Sequence, residues 1–186
     1  MKCKEFKCFL TFVFIVVLST SCFAQKKEKK ARPVILQAPS VEAVFDNINY
    51  IPEIKSVEFF NAAQDQSFPA IFLGSSDRLI LQFDDLRSGS RNLSYSVTHC
   101  DVNWKPSNIS SLDYLESFNQ DLVTNYRSAA NTFQKYTHYQ LTIPNLTVIP
   151  KLSGNYLLKV FENSDPSKLL LTRRFYVVQP RVVLQA

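Results

Sequence analysis

Between residues 54 and 178 the chain repeats one device: short runs of alternating apolar and polar residues, each closed by a turn former. In Leu93–Cys100 the odd positions Leu93, Tyr95, Val97 and His99 share one face, and Ser94, Ser96, Thr98 and Cys100 share the other. Successive side chains of a strand point to opposite sides of a sheet, so three apolar residues on one face predict a half-buried strand. The same reading predicts strands over 54–60, 69–73, 78–83, 138–143, 155–161 and 168–178. In the first of these, Ile54, Ser56, Glu58 and Phe60 are expected on one face, with Lys55, Val57 and Phe59 on the other. Gly74, Asp84-Asp85, Ser88-Gly89-Ser90, Pro144 and Asn163-Ser164-Asp165-Pro166 supply the stops. A phenylalanine-, tyrosine- and valine-rich chain with seven strands and short turns is expected to be all-β. The expected architecture is an immunoglobulin-like two-sheet β-sandwich over residues 47–179.

One stretch resists that pattern. Residues 101–136 show no convincing strand, and so long a connection usually has a function or its own structure. Ser110 to Glu116 is expected to form a helical turn or two, with Ser111 as the cap, which makes the insertion partly helical. The stretch carries Trp104, Tyr114, Phe118, Tyr126, Phe133 and Tyr136. These aromatics either fold the insertion onto the sandwich or supply anchors for a partner, since aromatics are enriched at binding hot spots.

The N-terminus reads as an export signal over residues 1–24. Lys2, Lys4 and Lys7 precede an apolar run of about ten residues, too short to span a bilayer. Cleavage after Ala24 fits the small-residue rule; the rival reading makes Cys22 a lipidated first residue. No other segment is apolar enough to span a membrane. Removing the signal takes away Lys2, Lys4, Lys7 and Glu5, so 18 basic and 15 acidic side chains remain, a net +3. That excess sits largely in Lys26, Lys27, Lys29, Lys30 and Arg32, within a flexible basic leader over 25–46. A basic tail on an exported protein does not predict a nucleic-acid partner. Cys100 is the one cysteine beyond residue 22, so no internal disulfide is expected in the domain and its stability must come from a core.

Candidate chemistry is sparse. His99, Cys100 and Asp101 are adjacent, but neighbours on a strand face opposite ways, so His99 and Cys100 cannot pair as base and nucleophile. His138 has no motif placing it near them. Neither a zinc spacing nor a calcium loop is present, and Gly74, Gly89 and Gly154 form no phosphate loop. The expectation is a protein that is not an enzyme, with no cofactor and no metal. Asp101 and Asn103 are expected to organise a turn, with Trp104 capping the core. Arg173 and Arg174 project to opposite faces, and one is expected to pair with Asp101, Asp84 or Asp85.

The ordered blocks carry a resemblance. They are Tyr50-x-Pro52, Leu79 to Asp85, His99 to Trp104, Tyr114-Leu115-Glu116-x-Phe118, Thr137-His138-Tyr139, Ser153 to Leu158, and Thr172-Arg173-Arg174-Phe175. In this order they resemble the first domain of the type IX secretion system plug proteins of the Bacteroidetes. That resemblance implies a non-enzymatic periplasmic protein at the inner face of the outer membrane. Its implied role is to bind and occlude the periplasmic end of the outer-membrane translocon barrel. Membrane association would come through that partner or through a lipid anchor at Cys22. Family members generally continue into further β-rich sequence, so residues 180–186 are read as the start of a linker to a missing domain. The alternative is a periplasmic or lipid-anchored adaptor for exported proteins or glycans.

Overall fold

The computed structural model describes residues 43–180 of the protein. The signal, with Cys22, lies outside the described residues, as do most of the basic leader and residues 181–186. Ten strands and one helical turn run in the order β1 (Ile48–Asn49), β2 (Ile54–Asn61), β3 (Ala70–Phe72), β4 (Leu79–Asp85), β5 (Leu93–Cys100), α1 (Ser111–Tyr114), β6 (Gln120–Leu122), β7 (Asn125–Ser128), β8 (Thr137–Ile143), β9 (Gly154–Glu162) and β10 (Leu169–Val178). They form two sheets. The larger has the order β1-β10-β9-β5-β6, with β3 also on β10; the smaller has the order β2-β4-β8-β7. All pairings are antiparallel except β3 on β10. No described helix is long and apolar enough to cross a membrane.

The core lies between the sheets and follows the alternation. Leu79, Leu81 and Phe83 of β4 and Tyr139, Leu141 and Ile143 of β8 face Leu93, Tyr95 and Val97 of β5, Tyr156, Leu158 and Val160 of β9, and Phe175 and Val177 of β10. Burying each such large residue stabilises the fold by about 1.5–3 kcal/mol through the area removed from water. A run of aromatic contacts joins the layers. Phe59 of the smaller sheet meets Phe175 edge-on at 5.9 Å, and Phe175 stacks on Tyr156 at 5.2 Å.

The seven strands expected from alternation are all present, and the first carries a correction. The β2–β4 register shifts between Lys55 and Glu58, where Ser56 takes a left-handed φ of 50°. This bulge changes the face of every residue after it. Ile54 is in the core, and Val57 and Phe59 pack against it too, whereas simple alternation set them on the opposite face from Ile54.

The stretch 101–136 holds two strands where none was expected. Strand β6 extends the larger sheet beside Ser94–Ser96, and β7 extends the smaller sheet beside Thr137–Gln140. Only Val123 and Thr124 separate them, and buried Val123 donates to the Leu93 carbonyl at 2.9 Å. The insertion therefore passes from one sheet to the other and closes that side of the sandwich. Neither strand shows alternation because both are short edge strands: all four residues of β7 are exposed. Helix α1 is capped by Ser110 rather than Ser111. Leu112 N donates to Ser110 Oγ at 3.4 Å, and Ser110 N donates to Asp113 Oδ2 at 3.2 Å, which is the reciprocal arrangement of a capping box.

Candidate functional site

Three of the sequence blocks, His99 to Trp104, Ser153 to Leu158 and Thr172 to Phe175, meet at one end of the larger sheet. Register brings His99 opposite Tyr156 and Cys100 opposite Asn155 on β5 and β9. It also brings Tyr156 opposite Phe175 and Asn155 opposite Tyr176 on β9 and β10. The turn after β5 completes this corner. Asp101 Oδ1 accepts from the amides of Asn103 and Lys105, each at 2.8 Å, and Asn155 Nδ2 donates to the Asp101 carbonyl at 3.0 Å. Trp104 has a φ of 60°, in the left-handed region. Its indole ring lies on the outer face of the sheet, with the Arg174 guanidinium 4.3 Å from the ring centre and the Tyr176 ring edge-on at 5.4 Å. Phe68 stacks on Tyr176 at 4.8 Å. Trp104 thus packs under a cation on the outside of the sheet, and the expected capping of the inner core is corrected.

The two arginines also depart from expectation. Neither pairs with Asp101, Asp84 or Asp85. Both close on the segment just before and within β1, which the alternation did not reveal as a partner. Arg174 donates through Nε and Nη2 to the Phe45 carbonyl at 2.9 and 2.6 Å, and its Nη1 lies 3.2 Å from Asp46 Oδ1. Its backbone amide donates to Asn47 Oδ1 at 2.7 Å. On the other face Arg173 donates through Nη1 to the Ile48 and Thr172 carbonyls and through Nη2 to Asn49 Oδ1 at 2.6 Å. Thr172 Oγ1 donates to the Asp46 carbonyl at 2.6 Å. Residues 44–46, expected inside a flexible leader, are therefore held against β10.

The six candidate anchor aromatics do not form one patch. Tyr114 is in the core, where burial raises its phenol above the usual range. Trp104 and Tyr136 are half-buried. Tyr126 pairs with Tyr139 at the edge of the smaller sheet, their rings 5.6 Å apart. Phe118 and Phe133 stand exposed, Phe133 fully so.

The groups that invited a catalytic reading lie apart. His99 Nδ1 is 2.7 Å from Ser107 Oγ, while its other nitrogen faces Gly154. His138 lies in the smaller sheet, bonded to its cross-strand neighbour Asp84 at 2.8 Å. Cys100 is buried, and burial pushes its thiol up to about 11. Among the described residues no group of three or more His, Cys, Asp or Glu side chains is placed to hold a metal.

A charged cluster at the opposite end of the sandwich escaped sequence reasoning. Asp85 is fully buried and accepts three bonds from Arg87, from its backbone amide and Nε at 2.9 Å each and from Nη2 at 2.7 Å. Arg87 Nη1 also lies 2.8 Å from Glu162, and Arg91 approaches both carboxylates. The hydrogen bond to Asp85 holds the Arg87 guanidinium above its usual range. The available signal was the density of charge in the turn after β4, where Asp84, Asp85, Arg87 and Arg91 follow closely. A cleft of about 580 Å³ opens elsewhere on the sandwich, between exposed Phe72 and Leu146, with Arg78 and Glu116 on its walls.

Comparison with known proteins identifies the family of this domain. Residues 54–179 match the family model described as "Type 9 secretion system plug protein 1st domain", which takes in most of the sequence blocks above. No curated protein matches this sequence. The crystal structure of a hypothetical protein from Parabacteroides merdae ATCC 43184 superposes at a TM-score of 0.70 with 30% identity, over 75% of this chain and 35% of that one. The chain thus spans about a third of that protein's length. A Pseudomonas fluorescens alkylpurine DNA glycosylase bound to abasic-site DNA aligns at a TM-score of 0.36 and 11% identity, over 67% of this chain and 30% of that one, and carries no argument.

Proposed function

This chain belongs to the type 9 secretion system plug protein family, and from that premise we propose that its sandwich binds the periplasmic mouth of the outer-membrane translocon barrel and occludes it while no substrate is engaged. The family match over residues 54–179 is the observation that carries this reading. The work is steric: a close-packed core resists deformation, so a rigid block can seal an opening without chemistry. The separate hydrogen-bond partners of His99, His138 and Asp101 support a non-enzymatic role. Two sheets built on six long antiparallel strands support keeping the immunoglobulin-like assignment within this reading. Export by the signal, and attachment to the inner face of the outer membrane through the barrel or through lipidated Cys22, belong to the same proposal. Of the six candidate anchors, Tyr126, Phe118 and Phe133 are the exposed ones.

Affinity capture from detergent-solubilised envelopes tests it, with the protein as bait and mass spectrometry of what is retained. A very large outer-membrane barrel is the expected catch. A longer bait that includes further family domains is run beside it. Capture of soluble exported proteins by both baits, with no barrel, would overturn the plug reading in favour of an adaptor.

A further inference from the structure

The edge of the larger sheet has a gap. Strand β10 carries β1 beside Leu171 and Thr172 and β3 beside Tyr176 to Val178. Residues 173–175 have neither neighbour, and a notch of about 380 Å³ opens there. Phe59, Phe68 and Tyr176 give it apolar walls, while Asn47, Arg173 and Arg174 supply donors. The cations differ in their partners. Arg174 has Asp46 at 3.2 Å, but Arg173 has no carboxylate partner among the described residues. Its three bonds go to neutral oxygens and engage only its two Nη atoms. A guanidinium offers five N–H groups, so the Nε–H and one more have no protein partner among the described residues and face solvent, open to a ligand. Burial lowers the Arg173 pKa, with no charged neighbour contributing. Half-buried positive charge without a counter-charge is costly, and an anion that brings its own negative charge removes that cost.

We propose that this notch is a binding site for a peptide carboxylate next to an aromatic or apolar side chain, with Arg173 holding the carboxylate and Phe68 and Tyr176 flanking its neighbour. An arginine fork matches a carboxylate geometrically, and charge-assisted bonds are about twice as strong as neutral ones. The apolar walls favour a peptide over a small inorganic anion, because they bind the neighbouring side chain. Either an acidic residue or the free C-terminus of a peptide supplies this group. The site stands independently of the plug reading, since it rests on the gap in β10 and on the pairing of Arg173.

The test is a titration of isotopically labelled protein followed by NMR, reading the Arg173 Nε–H and Asn47 side-chain signals. Three probes are used: N-acetyl-phenylalanyl-glutamyl amide, its glutaminyl counterpart, and N-acetyl-phenylalanyl-alanine with a free C-terminus. At least one carboxylate probe is expected to saturate with a dissociation constant on the order of millimolar, and the glutaminyl probe to bind about tenfold more weakly. Preference between the two carboxylate probes names the source. Arg173→Lys keeps the charge and loses the fork, so it is expected to weaken the favoured probe about tenfold. Phe68→Ala lies on the exposed wall, outside the Arg173 hydrogen bonds, and is expected to weaken it several-fold with the fold intact. Equal binding of the glutaminyl probe, absence of saturable shifts at the notch, or unchanged affinity in Phe68→Ala would overturn the proposal.

Discussion

The imidazole of His99 lies directly against Gly154, so close that a Cβ at position 154 would stand 2.5 Å from His99 Nε2. Two strands of one sheet meet there, and the contact is possible only because β9 begins with a residue that has no side chain. Gly154 also has a φ of 150°, which side chains disfavour. The His99 ring is fixed from its other sides by Ser107 and by an edge-on contact with Tyr156 at 5.0 Å. Gly154→Ala is therefore expected to cost about 2–3 kcal/mol in urea unfolding. Adding His99→Ala should recover part of that loss. If the double variant loses as much as the sum of the single ones, the contact is not the cause.

The protein has one tryptophan, so its fluorescence reports on this corner alone. Arg174→Ala removes the guanidinium over Trp104 and the bonds to Phe45. The cation–π term is worth about 1 kcal/mol, and each lost hydrogen bond about as much. Emission is expected to shift to the red, with a stability loss of about 1–3 kcal/mol. An unchanged spectrum would mean that Trp104 does not depend on Arg174 for its shielding.

At the other end of the sandwich, Asp85 and Glu162 share Arg87 but differ in burial, with side-chain exposures of 0% and 17%. Breaking a buried pair strands its partner away from water, which costs about 3–5 kcal/mol. Asp85→Asn should fall near the lower end of that range, because the amide still accepts from Arg87. Glu162→Gln should cost less, on the order of 1 kcal/mol, because its side chain keeps 17% exposure and the amide oxygen can still accept from Arg87. Denaturation midpoints of the two variants give the comparison, and the reverse ranking would refute it.

The thiol of Cys100 tests the packing of the outer face. Its usual value of 9.0 rises to about 11 because burial penalises the thiolate. At pH 8 the thiolate fraction is then about a hundredfold lower than in an exposed cysteine, and alkylation by iodoacetamide should slow at least that much. Unfolding in urea should restore the ordinary rate. Because the folded thiol is the weaker acid, its contribution to stability is fully present below pH 9. That contribution is lost as pH rises from 9 through 11, since only the unfolded thiol ionises early in that window. Cys100→Ala should therefore flatten the alkaline decline in stability. Rapid labelling of the native protein would show that the sulfur is accessible.

Strand existence was legible wherever one face met the core, because burial on one side writes a period of two into the residues. Strands β4, β5 and β8 appear where alternation placed them, and in β4 and β8 the buried residues are the alternating ones, whereas β5 also buries Ser94 and Cys100 on its other face. Strands β6 and β7 were not legible, since an exposed edge strand owes its pairing to backbone groups that every sequence shares. The bulge at Ser56 was also silent, for an inserted residue looks like ordinary noise in the pattern. The turn chemistry of Asp101 could be read locally, because its carboxylate bonds an amide two residues on.

Apart from the neighbouring Thr172 carbonyl, the hydrogen-bond partners of Arg173 and Arg174 lie more than 120 positions away, and those that are backbone carbonyls leave no residue signature. Composition and periodicity determined by themselves that this is a β protein with an apolar interior and a single cysteine in its domain. The ordered blocks determined its family. Only the tertiary structure decided that the blocks around His99, Asn155 and Arg174 form one corner, that the insertion bridges both sheets, and that β10 has a gap in its edge. Periodicity records whether a residue faces water or protein, a one-body property. Pairing between distant residues depends on register and on the path of the backbone, which emerge only when the sheets have closed on one another.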